Sequence, residues 1–191
     1  MRKLSIWASG NGSNAENIIQ FFTNSKEIEV DHILCNKKEA SVFQRAERLG
    51  IPAFHYPAAD FRESEKILTL LKEKTIDYVI LAGFLLKVPE SIIHVFPGRI
   101  INIHPALLPN YGGKGMYGMN VHNAVIEAGD KHSGRRIHLV DEEYDHGKLL
   151  FQSICDIDEG ETPESLAEKI HHLEHKHYPE VINNYVLSFD E

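Results

Sequence analysis

The chain has 191 residues, 42% of them hydrophobic, a length that supports one well-packed core and is short for two, so a single domain over residues 1–191 is expected. Its formal net charge is −8 and it carries no basic run, which argues against a nucleic-acid-binding surface and leaves small molecules as the expected partners. The two cysteines, Cys35 and Cys155, lie in apolar strand-like runs without metal-ligand spacing; that excludes a disulfide scaffold and a zinc ribbon and fits a reducing cytoplasm.

In chain order, KLSIWAS (3–9) reads as a first strand, its apolar run being too short for a signal peptide or a membrane span. Gly10 to Ser13 turn the chain into a helix over about 14–23, opening a β-α-β unit. A second strand over 29–36 and a helix over 39–50 follow, the helix closing on Gly50 at the usual stop position. IPAFHY (51–56) is a short third strand, 62–74 is helical by spacing, and the continuous apolar runs 78–83 and 99–104 are central parallel strands. The first half is therefore a doubly wound, mostly parallel α/β sheet. Beyond it come a helix near 120–129, two strands over 135–141 and 148–157 too close together for a crossover helix, and a helix from about 163. The spacing of the two strands predicts an antiparallel C-terminal pair.

Two stretches carry chemistry. GNGSN (10–14) stands between a strand and a helix, where backbone N–H groups and the helix dipole favour an anion. With Ala15 it also fits G-x-G-x-x-A, the dinucleotide fingerprint. The second strand, however, ends at Asn36 where an acid for the ribose 2′-hydroxyl is expected, so a phosphomonoester fits better. In INIHPALLP (101–109), strand alternation puts Asn102 and His104 on one face at the carboxyl end of a central strand, the edge at which open α/β sheets bind ligands. An amide donor and an imidazole aimed at one point suit acyl transfer, in which charge develops on oxygen. Pro105 and Pro109 then force an extended loop over that edge.

The string INIHPALLP, the later His138 with Asp145-x-Gly147, and LAGFLL (81–86) together resemble the folate-dependent formyltransferases. Within that family the resemblance is greatest to the branch acting on a glycinamide ribotide, because GNGSN stands near the first residue and LEHKHYP (173–179) near the last. The branch acting on methionyl-tRNA and the formyl-folate hydrolases carry additional domains that 191 residues do not accommodate. The resemblance implies a Rossmann-like formyltransferase fold. It also implies 10-formyltetrahydrofolate as co-substrate, no metal, and formyl transfer to the glycinamide amine of a ribosyl 5-phosphate in purine synthesis, by a cytoplasmic monomer or homodimer that binds neither nucleic acid nor membrane.

By the same resemblance Asn102 and His104 stabilise the oxyanion, and Asp145 orients His104, assists proton transfer and raises the imidazole pKa. Asn11, Gly12, Ser13 and Asn14 cradle the phosphate, and Glu174 accepts from the ribose hydroxyls. Leu81, Leu85, Leu86 and Val88 form the folate slot, backbone groups near Val140 and Asp141 read the folate edge, and Arg62 faces the glutamate tail. The chain departs from the pattern in two places. The loop after LLPNYGG is longer, and RRIH (135–138) replaces a motif with a small hydroxyl residue before the isoleucine position. Residues 111–120, with four glycines and Lys114 as the only charge, are expected to form a lid whose Met116, Tyr117 and Met119 close over the folate. Two rival readings are a zinc site at HHLEH (171–175), which fits H-x-x-E-H, and a ligand-binding module of the same fold without turnover.

Overall fold

The computed structural model describes residues 1–113, 115–143 and 145–189. Its frame is a seven-stranded sheet in the order β3-β2-β1-β4-β5-β6-β7. β1 (Arg2–Ala8), β2 (Ile28–Cys35), β3 (Ala53–His55), β4 (Tyr78–Leu81) and β5 (Ile100–His104) pair in parallel, and β6 (His132–Leu139) and β7 (Leu149–Asp156) add antiparallel. β4 is buried on every residue and β1 from Leu4 to Ala8, as strands covered on both faces must be, which is why β4 reads as an unbroken apolar run and β1 as one interrupted only by Ser5.

Helices cover both faces. One core layer joins the sheet to α1 (Ser13–Phe22), α2 (Val42–Leu49) and the long α7 (Pro163–Ser188); the other gathers Trp7, Phe61, Ile67, Phe84, Ile92 and Ile100 under α3 (Ala58–Glu63), α4 (Glu65–Glu73) and α5 (Glu90–Val95). A third cluster packs α6 (Met119–Glu127) on α7 through Val121, Val125, Leu166 and Ile170. α7 starts on a capping box between Thr162 and Ser165 with Pro163 at its first position. Pro179 inside α7 lacks the N–H that would bond to the carbonyl of His175; Asn17 Nδ2 of α1 donates to that carbonyl at 2.8 Å instead. Tyr178 Oη donates to the carbonyls of Leu81 and Ile101 at 2.9 and 3.1 Å, pinning α7 to β4 and β5.

Three expectations need correction. The helix expected over 62–74 is two helices, broken at Ser64, whose φ of 61° is left-handed. α5 was not expected at all, because its six residues give too little periodicity to register. β6 starts at His132 rather than 135: Gly134 continues the strand because a Cβ there would stand 2.0 Å from the Ser153 carbonyl oxygen.

Candidate active site

β5 sits between β4 and β6, with Asn102 opposite Leu81 on one side and His138 on the other. Strand alternation carries Asn102 and His104 to the same face, and both line a cavity of about 850 Å³ together with His138 and Asp145. Asn102 Nδ2 donates to His138 Nε2 at 3.2 Å, a role open to that nitrogen because His138 Nδ1–H donates to the Leu139 carbonyl at 2.9 Å. Asp145 Oδ1 lies 3.7 Å from His104 Nδ1 and 3.6 Å from His138 Nε2, so one carboxylate stands beside both rings. Its other oxygen accepts the Gly113 amide at 3.0 Å. His104 Nε2–H donates to the Tyr111 carbonyl at 2.8 Å, tying the ring to the loop that follows β5. Tyr111 and Asp145 both take left-handed backbone, φ 56°, and such non-glycine conformations cluster at functional sites.

The electrostatics correct one expectation. Burial pulls the His104 pKa below its ordinary value of 6.5; Asp145 and the Tyr111 carbonyl push it up and His138 pushes it down, and burial prevails. His104 is therefore a neutral donor at neutral pH rather than a cation. Burial pushes Asp145 up, but His138, the Gly113 amide and His104 outweigh it, leaving a carboxylate below the ordinary range.

At the other end of the cavity the β1–α1 turn faces α7. Gly12 has a φ of 79°, and a Cβ on it would stand 2.4 Å from Val42 Cγ2 at the start of α2, so glycine is required twice over. Arg45 of α2 donates from Nε to the Asn11 carbonyl at 2.9 Å and from its terminal nitrogen to Asn11 Oδ1 at 2.6 Å, and it pairs with Glu16. Ser13 Oγ lies 2.8 Å from His171 Nε2, and Asn14 Nδ2 donates to Glu174 Oε2 at 2.8 Å. Asn14, His171 and Glu174 line the cavity; Asn11, Gly12 and Ser13 form the turn just behind it. Glu174 is buried, not a solvated helix acid. Burial raises its pKa, opposed by Asn14 and Arg135. His171 and His175 stack with ring centres 4.1 Å apart, and among the described residues no three His, Cys, Asp or Glu side chains are grouped to hold a metal.

Leu81, Leu85, Leu86, Val88, Val140 and Asp141 all line the cavity, as do Phe84 and Met116. Arg62 does not line it: exposed on α3, its Nε donates to the Ala58 carbonyl at 3.2 Å. Gly113, Met116, Tyr117 and Met119 of the long loop reach the cavity wall, while Lys114 lies outside the described residues. Sequence reasoning did not assign Arg45 or His122, a buried side chain of α6 on the cavity wall; it named His138 only as part of the family motif and His171 only in the rival zinc reading, whereas here His138 stands beside Asn102 and His171 at the turn. Arg45 and His171 reach the turn across 34 and 158 residues of sequence, and no local motif records such contacts.

A formyl transferase family model matches residues 2–182. The chain is 41% identical over 187 residues to the chloroplastic phosphoribosylglycinamide formyltransferase of Arabidopsis thaliana, covering 95% of itself and 64% of that protein. To the phosphoribosylglycinamide formyltransferase of Bacillus subtilis it is 36% identical over 190 residues, covering 95% of itself and 93% of the relative. The chain thus spans less than two thirds of the plant relative and nearly all of the bacterial one. The crystal structure of phosphoribosylglycinamide formyltransferase from Bacillus halodurans superposes with a TM-score of 0.86 at 36% identity, covering 100% of this chain and 97% of that one. The family match over most of the chain, the identity to these relatives and the superposition agree, and the chain belongs to the formyl transferase family.

Proposed function

We propose that the chain transfers the formyl group of 10-formyltetrahydrofolate to the glycinamide amine of 5′-phosphoribosylglycinamide, a step of de novo purine synthesis. The observation that carries this reading is the convergence of Asn102, His104, His138 and Asp145 on one cavity that also has apolar walls and is bordered by the glycine turn before α1. The apolar walls from Leu81 to Val88 suit a flat folate ring. The turn at Gly12, with Arg45 and His171 beside it, suits a phosphomonoester.

The chemistry follows from the donors. The amine attacks the formyl carbon and the carbonyl electron pair moves onto oxygen, where Asn102 Nδ2–H and the neutral His104 N–H stabilise the oxyanion. Collapse breaks the bond from carbon to the folate nitrogen, which takes up the proton that the amine gives up, with the Asp145 carboxylate relaying it. Asn102 gives one of its two Nδ2–H groups to His138 and keeps the other for the substrate oxygen, whereas the single N–H of neutral His104 is held by the Tyr111 carbonyl and turns from it to the substrate oxygen. The same reading takes residues 1–191 as one formyltransferase domain, a monomer or homodimer, in a reducing cytoplasm consistent with free Cys35 and Cys155. No helix among the described residues is long and apolar enough to cross a membrane. Incubation with 10-formyltetrahydrofolate and the ribotide, followed by the folate product, is the direct test. Formyl transfer is expected with the ribotide and much weaker with glycinamide lacking the sugar phosphate, and equal rates with both would overturn the assignment.

A further inference from the structure

Arg135 is fully buried, a rare place for a guanidinium. It stands on β6 between Ser133 and Ile137, on the face that packs against α7, and its cross-strand neighbour on β7 is Ser153. Nε donates to Ser153 Oγ at 2.9 Å and the guanidinium lies 5.8 Å from the centre of the Phe151 ring. That hydrogen bond uses one of its five N–H groups, and both terminal nitrogens are buried without a hydrogen-bond partner. Burial pulls its pKa down to about 10, with Glu174 opposing, so it remains a cation at neutral pH. A buried cation is costly unless a facing anion compensates it.

Glu174 is the acid that answers it, since burial raises the Glu174 pKa and the Arg135 charge, with Asn14, opposes that rise. It is buried on α7, lines the cavity and engages Oε2 with Asn14 of α1. The titratable neighbours of the pair are His171 one turn earlier on α7, Tyr178 one turn later, which feels the Glu174 charge, and His177, which feels that of Arg135. The guanidinium makes no hydrogen bond to the carboxylate, so its charge acts across a gap and leaves the carboxylate oxygens to other donors.

We propose that Arg135 is a positioning residue for the acceptor end of the cavity: set into the sheet beneath α7, it is the fixed counter-charge that keeps Glu174 a carboxylate able to accept from the two hydroxyls of a vicinal diol. The ligand half of this inference rests on the ribotide reading above; the charge coupling does not. It also gives a role to one of the two arginines at which the chain departs from the formyltransferase pattern.

The test uses the full chain labelled with ¹³C at glutamate carboxyls, the Glu174 resonance being the one lost in Glu174→Gln. In Arg135→Met, or in Arg135→Gln should the methionine variant not fold, the Glu174 titration is expected to move up by roughly one unit, the scale for losing a nearby opposite charge. Arg135→Lys, which keeps a charge, should stay near wild type. Calorimetry at neutral and mildly acidic pH should then show ribotide binding weakened selectively on acidification in the uncharged variants, with folate binding unchanged. A Glu174 titration that does not move in a folded, uncharged variant overturns the proposal, whatever the enzyme's activity. A shifted titration in a protein whose wild type binds no ribotide supports the charge coupling and removes the functional reading instead.

Discussion

His104 is pulled in two directions: its ring is buried to within a few per cent, which favours the neutral form, while Asp145 stands 3.7 Å from Nδ1 and favours the charged one. Burial prevails, so the ring acts as a neutral donor whose orientation the loop sets. His104→Ala and Asn102→Ala are each expected to lower kcat by about 100-fold or more, the scale for losing one oxyanion donor, with KM for both substrates little changed. A steady-state comparison of kcat and KM decides this, and a loss confined to KM would assign these residues to binding alone. Asp145 raises the His104 pKa, so Asp145→Asn removes that upward pull and the imidazole should titrate at still lower pH, read by proton NMR of its ring signals. The same variant should lower kcat, because an amide cannot relay the amine proton. An unmoved titration would mean that the carboxylate does not act on His104.

At the scale of elements, the β1–α1 turn and α7 form one unit. Replacing Gly12 with valine combines a left-handed φ with a Cβ driven into Val42, and the shift falls on the backbone that faces the phosphate. Ribotide affinity should fall far more than folate affinity, as isothermal titration of each ligand would read; equal loss of both would indicate general unfolding. Asn17→Ala removes the donor that stands in for the N–H Pro179 lacks, and should lower the free energy of unfolding by about 1–3 kcal/mol in urea titration. What was legible in sequence follows the same division. β4 was readable because burial on both faces leaves an unbroken apolar run, β5 because Ile100, Ile101 and Ile103 keep it apolar, and Asn102 and His104 because period-two alternation forces them to one side. The break at Ser64 was not, since a left-handed serine carries no glycine signal. Nor was the burial of Glu174 or of Arg135, each of which depends on α7 lying against residues far away in the chain.

At the scale of the molecule, the cavity is closed by elements drawn from the whole chain: the ends of β4, β5 and β6, the turn before α1, the first half of α7, and the loop between β5 and α6. That loop is the least evenly held of these. Its first part is tied down at three points, with the Tyr111 carbonyl accepting from His104, Tyr111 Oη donating to Asp130 at 2.7 Å, and the Gly113 amide donating to Asp145. Beyond Gly113, Gly115 and Gly118 take positive φ, Tyr117 and Met119 are exposed, and among the described residues as far as Met119 only Met116 packs into the core, against the cluster that joins α6 to α7. The tied part touches Asp145 and His104, and on the proposed mechanism substrate oxygen displaces the bond between His104 and Tyr111. On that reading ligand binding is coupled to movement of the loop. We therefore expect residues 111–120 to close over bound folate as a lid, Tyr117 and Met119 moving from solvent onto its apolar surface and excluding water. Trypsin, for which Lys114 is the only site in this stretch, should cleave there readily in the free protein and slowly when ribotide and a non-transferable folate analogue are both bound. Cleavage at the same rate in both states, or a variant with 115–118 shortened that keeps full kcat without added hydrolysis of the formyl donor, would show that the loop is a fixed wall of the cavity.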